Sequence, residues 1–166
     1  MRFDEVVPEV ALIEDERIRR AVVKVWESAL AEAGLDASAL REMPFCADVP
    51  PGQVSLAAHI SAVTRTAAHL ADLYREVYGV SVERDALLAA ALLHDVGKLD
   101  ERRDPRLEHS LSGVLRANAA GLPTPTLHAI AFHSEAAAEK RRCVEAELLY
   151  FADFVHYRPL LRVEGD

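Results

Sequence analysis

In the stretch "ALLHDVGKLD", residues 91–100, a histidine and an aspartate, His94 and Asp95, follow directly on an apolar run. An imidazole offers a nitrogen lone pair and a carboxylate offers charge. Both need a partner once they leave water, and together they suit a divalent cation. Adjacent helical residues diverge by about 100°, so the pair serves one ion beyond the helix end better than a mutual hydrogen bond. The competing reading is a histidine that caps the last carbonyls beside an exposed aspartate, since helix ends favour cations. Asp153, in "AELLYFADFVHY", makes a similar demand from elsewhere in the chain. It shares a helix face with Ala146, Leu149 or Tyr150, and Tyr157, and no lysine or arginine stands at a helical neighbour position upstream. An unpaired charge there is costly, so a metal fits better than a local ion pair. A salt bridge to a distant arginine, or solvent exposure, is the alternative.

The other histidines divide by helix face. Ser55, Ala62, Val63, Thr66 and Leu70 lie on the side of His59, which therefore faces inward. Taken alone, such a residue is more often a hydrogen-bonded core histidine than a ligand. His109 in "EHSLSG" and His133 in "TPTLHAIAFHSE" each fall on a predicted helix whose other inward positions are small or apolar. His69 and His128 fall off those faces and read as surface groups, while His156, one turn beyond Asp153, reads as a supporting neighbour rather than a ligand. Cys46 and Cys143 stand far apart without CxxC spacing, which suggests neither a disulfide framework nor a thiolate zinc site.

Helices must position these groups. The 166 residues suffice for one domain, and abundant alanine and leucine with 6% aromatics point to an all-α fold. A long amphipathic helix is predicted from about Glu14 to Gly34, with a short helical turn in "LDASALREMPF". "DVPPGQ", at Pro50 and Pro51, reads as the break between an N-terminal helical segment, 1–50, packed on the core, and a main bundle, 51–166. In the bundle, a helix from Val54 to Tyr78 closes at Gly79, and one capped by Ser81 runs to Gly97, where the chain turns sharply. "DERRDPR" is expected as a charged loop. Shorter helices follow over Leu107 to Ala120 and Pro125 to Ser134, the second opened by Thr124, and a last one spans Val144 to Tyr157 before Pro159. "SEAAAEKRR" reads as a solvated helix extension.

Taken in order, His59, His94-Asp95, His109, His133 and Asp153 resemble the signature of the HD-domain superfamily of metal-dependent phosphohydrolases, with "HDVGK" close to that family's usual "HDIGK". The resemblance runs from about Val54 to Tyr157 and implies an HD-domain-like helical bundle. It also implies that His59, His94, Asp95 and Asp153 hold one metal ion, and that His109 and His133 hold a second, with Asp95 bridging both. Imidazoles with carboxylates suit iron, manganese, zinc or nickel better than calcium or magnesium. One or two such ions would activate water as hydroxide against phosphorus. Asp95 and Lys98 are the expected catalytic residues, Lys98 as a contact for substrate phosphate. His133 is followed by Ser134 and "EAAAEKRR", without the second histidine and "GYP" stretch of the cyclic-dinucleotide phosphodiesterase branch.

The expected function is hydrolysis of a small phosphorylated molecule, a nucleotide or another phosphoester. A mixed-valence di-iron oxygenase of the same superfamily is the first alternative. A metal-stabilised sensor is the second, with the Glu14–Gly34 helix as a partner or homodimer surface. The net charge of −8 disfavours a nucleic acid polymer, while Arg102, Arg103 and Arg106 give one loop a local basic character. The densest apolar run is too short to span a membrane and the start lacks a secretory layout, so a cytoplasmic location is the default expectation.

Overall fold

Alanine and leucine fill Ala86–Leu93 so completely that every side chain there is buried, and the other elements are arranged around this helix. The computed structural model describes residues 1–46 and 54–162. In chain order the helices are α1 (Phe3–Val6), α2 (Glu16–Glu32), α3 (Leu56–Tyr78), α4 (Arg84–Leu93), α5 (Lys98–Arg103), α6 (His109–Ala119), α7 (Thr124–Ala131) and α8 (Val144–Tyr157). Short 3-10 turns at Pro8–Leu12, Ala37–Arg41 and Glu135–Lys140 join them. Among the described residues no strand occurs beyond an isolated bridge between Pro44 and Ser55. The fold is all-α. α4 packs against α2, α3, α7 and α8, α3 also packs on α8, and α6 lies across α7 and α5.

Local chemistry sets most helix ends. The Asp15 carboxylate caps α2 by accepting from the amides of Arg17 and Ile18. Ser55 caps α3, and Gly79 ends it in the left-handed conformation, with φ 64°. Other ends differ from the sequence-based expectation. The cap of α4 is Glu83, not Ser81, and the Glu83 amide is satisfied from a distance by the Glu145 carboxylate at 2.8 Å. α4 stops at Leu93 because its hydrogen bonds tighten to i→i+3, from Val96 to Leu93 and from Lys98 to Asp95, both at 3.0 Å. Part of the expected charged loop is α5, whose acids fall in its first turn and arginines in its last, as the helix dipole favours. α7 ends at Ala131, so His133 stands beyond it. "EAAAEK" forms a 3-10 turn rather than an extension of α7.

The break read at Pro50–Pro51 lies outside the described residues. The parts on either side of it share one hydrophobic core, from Phe3 and Trp26 to the leucines of α4 and α8. Trp26 stacks on Phe3 at 5.0 Å and donates its indole N–H to the Leu92 carbonyl at 2.8 Å, one of the last acceptors of α4. Trp26→Phe keeps most of the ring volume and leaves that carbonyl dry, which costs about 1–3 kcal/mol. Equilibrium denaturation in urea checks this.

A second tie between the N-terminal segment and the bundle is ionic. The Arg116 guanidinium of α6 donates to Asp100 at 2.6 Å and to Glu32 at 2.7 Å. Those hydrogen bonds hold the Asp100 carboxyl below its ordinary 3.8 and the Glu32 carboxyl below its ordinary 4.5. Carboxyls depressed by folding add stability that is complete above their unfolded values and is lost as pH falls through the folded ones. Unfolding free energy should therefore decline below about pH 4.5, and Arg116→Met should flatten that decline. A pH series of denaturation midpoints for both proteins decides it.

Candidate metal centre

Five short segments deliver six side chains to one point. His59 comes from the second turn of α3, His94 and Asp95 from the tightened turn after α4, and His109 from the first residue of α6. His133 follows α7, and Asp153 lies on the last turns of α8. His59 Nε2 is 3.1 Å from Asp153 Oδ1 and 3.7 Å from Asp95 Oδ2. His94 Nε2 lies 3.3 Å from His59 Nε2, 3.5 Å from Asp95 Oδ2 and 3.8 Å from Asp153 Oδ1. On the other side, His109 Nε2 is 3.3 Å from His133 Nε2 and 4.0 Å from Asp95 Oδ1. Asp95 thus presents one oxygen to each group. The structure brings together all six residues singled out in the sequence.

The carbonyls behind the rings fix what the rings offer. His94 Nδ1 lies 2.7 Å from the Ala91 carbonyl and His133 Nδ1 2.7 Å from the Ile130 carbonyl. A carbonyl only accepts, so both Nδ1 atoms carry the proton and both Nε2 lone pairs point inward. Burial, then the neighbouring His94, pushes His133 down to about 4, so its ring is neutral near pH 7. Burial works against the Asp95 charge, but the Lys98 ammonium and the surrounding imidazoles hold its carboxyl below the usual carboxylate range. Burial likewise opposes the Asp153 charge, and the hydrogen bond from His59 outweighs it with help from His94. Inward lone pairs and two carboxylates share this buried space with a single ammonium, that of Lys98, and a bound cation would satisfy the rest. His59, His94 and Asp95 converge closely enough for one ion, and Asp95, His109 and His133 for another. Borderline nitrogen with carboxylate oxygen fits a transition metal ion.

Residues 56–158 match the family model of the HD domain. The chain belongs to the HD domain family. Outside the family model, this HD protein is similar to a dihydroneopterin 2′,3′-cyclic phosphate phosphodiesterase of Methanocaldococcus jannaschii, at 30% identity over 107 residues. That likeness covers 57% of this chain and 43% of the relative, so the chain spans less than half of the relative's length. No solved structure gives a significant match.

The HD centre opens into a cleft of about 500 Å³, lined among others by Phe45, Phe154 and Tyr157 and by Lys98, Glu101 and Arg102. Lys98, expected from the sequence to meet a phosphate, lines the cleft and donates to Asp95 Oδ2 at 2.7 Å and to the Phe45 carbonyl. Of the three arginines expected to make a basic loop, Arg103 is tied to Asp100 and Arg106 to Asp104. Arg102 lines the cleft and donates to the Pro44 carbonyl. Ser134 lines it too, whereas Thr66 turns to His156 Nε2 at 2.7 Å. His69 is exposed as expected. His128, expected at the surface, is half-buried and accepts the Arg142 amide at 3.0 Å, because the chain after α7 doubles back over it.

Sequence reasoning did not find Phe45 or Glu101 as part of the site's walls, and pointed to Arg102 only as one of three arginines of a basic loop. Glu101 and Arg102 follow from Lys98 at helical spacing once α5 is recognised as a helix. Phe45 carries no local signal. The loop that presents His133 depends on Arg141, whose side chain is 5% exposed. It donates to the carbonyls of Phe132 and Ser134 and to Glu147 of α8, and lies 4.0 Å over the Tyr150 ring.

Proposed function

We propose that this HD protein is a metal-dependent phosphohydrolase acting on a small phosphorylated molecule, a nucleotide or another phosphoester. The observation that carries this reading is the pair of ligand groups sharing Asp95 at the base of an open cleft. His59, His94, Asp95 and Asp153 would hold one ion, and Asp95, His109 and His133 the other. Iron, manganese, zinc and nickel all suit these donors. Bound there, such ions supply water activation and neutralise charge on a phosphoryl group.

The protein's own groups have separate tasks. The carbonyls behind His94 and His133 place the proton of the neutral ring on Nδ1, which leaves Nε2 as the atom offered to a cation. Lys98 balances the Asp95 charge from the cleft side. Arg102, an exposed guanidinium in the wall, attracts an anion into a molecule that is negative overall. The similarity to a cyclic phosphate phosphodiesterase supports testing cyclic phosphodiesters beside phosphomonoesters.

The test is a turnover screen of both ester classes on protein loaded separately with manganese, zinc and ferrous iron, under anaerobic conditions. Hydrolysis without dioxygen, abolished by a chelator and regained when metal is returned, is the expected result. Oxygen uptake without ester hydrolysis points to the oxygenase alternative. Tight phosphate-ester binding with no conversion in any metal form points to a sensor.

A further inference from the structure

The rings at the centre are not all oriented in the same way. His94 and His133 are each fixed by a carbonyl at Nδ1. His109 has the carboxylates of Glu108 and Glu101 beside its Nδ1, at 3.5 and 3.7 Å. Among the described residues His59 makes no such hydrogen bond at Nδ1. Its ring lies instead against Phe45, with centroids 4.3 Å apart and planes 19° from parallel. Phe45 is itself buried and meets Tyr157 edge-on at 6.2 Å.

Phe45 is gripped through its backbone as well. Lys98 donates to the Phe45 carbonyl while paired with Asp95, Arg102 donates to the Pro44 carbonyl, and the Leu56 amide donates to the Met43 carbonyl at 2.7 Å. The residues around Phe45 are thereby tied to α5 and to the start of α3, the helix that carries His59. They also lie before residue 56, where the family match begins.

We infer that Phe45 is a positioning residue of the metal centre: the N-terminal segment, through this ring, sets the plane of His59 and so aims Nε2 at the ion held with His94, Asp95 and Asp153. A histidine ligand without a hydrogen-bonded outer nitrogen is free to rotate about its χ2 angle unless something covers its face. The stacked ring does so here. A planar side chain at position 45 is therefore needed for tight binding at the His59 position, and the His109–His133 position depends on it much less.

This inference rests on the metal reading, and the experiment separates the two. Zinc affinity is measured by competition with a chromogenic chelator in His133→Ala protein, which retains the His59 position alone. The measurement is repeated with Phe45→Ala, Phe45→Trp or Leu40→Ala added, and melting temperatures are recorded alongside. Leu40 is fully buried in the same segment and does not line the cleft, so it serves as the stability control. The expected result is about a 10–100-fold loss of zinc affinity with Phe45→Ala, recovery of most of it with Phe45→Trp, and unchanged affinity with Leu40→Ala despite a lower melting temperature. An unchanged affinity in Phe45→Ala, or an equal loss in Leu40→Ala, overturns the inference while leaving the metal centre intact. Failure of the wild-type protein to bind zinc, manganese or iron overturns both.

Discussion

Asp95→Ala should remove metal from both positions at once, whereas His109→Ala or His133→Ala should mainly weaken one. Asp95 turns Oδ2 towards His59 and His94 and Oδ1 towards His109, so its loss takes an oxygen from each group of donors. Loss of a supporting contact alone typically costs 10–100-fold in metal affinity, and a shared ligand should cost more than about 100-fold at each position. Turnover should fall by at least about 10³-fold, the upper range for deleting one group that stabilises transition-state charge. The fold should survive, since Lys98 keeps the Phe45 carbonyl and is 20% exposed. Elemental analysis of dialysed variants with circular dichroism as the control measures both. Equal loss of all metal from every variant would contradict the division between positions.

Among the described glycines, Gly97→Ala should be the most damaging replacement by alanine. Gly97 has φ −67° and ψ −12°, an ordinary right-handed backbone, so alanine suffers no conformational penalty there. The obstacle is space. A Cβ on Gly97 would meet the His109 carbonyl oxygen at 2.0 Å, its carbon at 2.8 Å and the Gly113 amide nitrogen at 2.9 Å. All three are backbone atoms of α6, and no rotamer change relieves the clash. Overpacking typically costs 1–3 kcal/mol and occasionally more; an unyielding backbone should place this case at about 3 kcal/mol or above, or roughly 10 °C in melting temperature. Relief requires α6 to move away and take His109 with it, so binding at the second position should weaken too. Gly79→Ala is the informative comparison. Its φ is 64° with nothing within 4 Å of the added carbon, so it should cost only about 1–2 kcal/mol, the left-handed penalty. Similar melting temperatures for the two variants would refute the steric explanation.

The helices were most legible where composition and punctuation agreed. α8 runs from Val144 to Tyr157 as its apolar pattern and the following proline indicate, and α3 differs from its reading only at the first turn. The six residues of the centre were legible as an ordered set that resembles the HD-domain signature, since a single histidine on an apolar face reads more often as a core residue. What could not be read depends on contacts between distant segments. α5 looks like a loop because its residues are charged, and only its acid-to-base polarity marks it as a helix. Gly97 looked like a residue needed for a sharp turn, yet its backbone is ordinary and it serves to admit α6. His128 was assigned to the surface by its face on α7, which says nothing of a chain that returns across it. Phe45 sits in a segment without periodicity, and its partner ring is fourteen positions away.

The buried guanidinium of Arg141 has a mechanical implication. It grasps the carbonyls on both sides of His133 and is anchored to α8 through Glu147 and Tyr150, the same rod that bears Asp153 three residues after Tyr150. Residues proposed as ligands of different ions therefore hang from one lever. A displacement of that rod would reach both proposed positions together, and neither could be retuned from α8 in isolation.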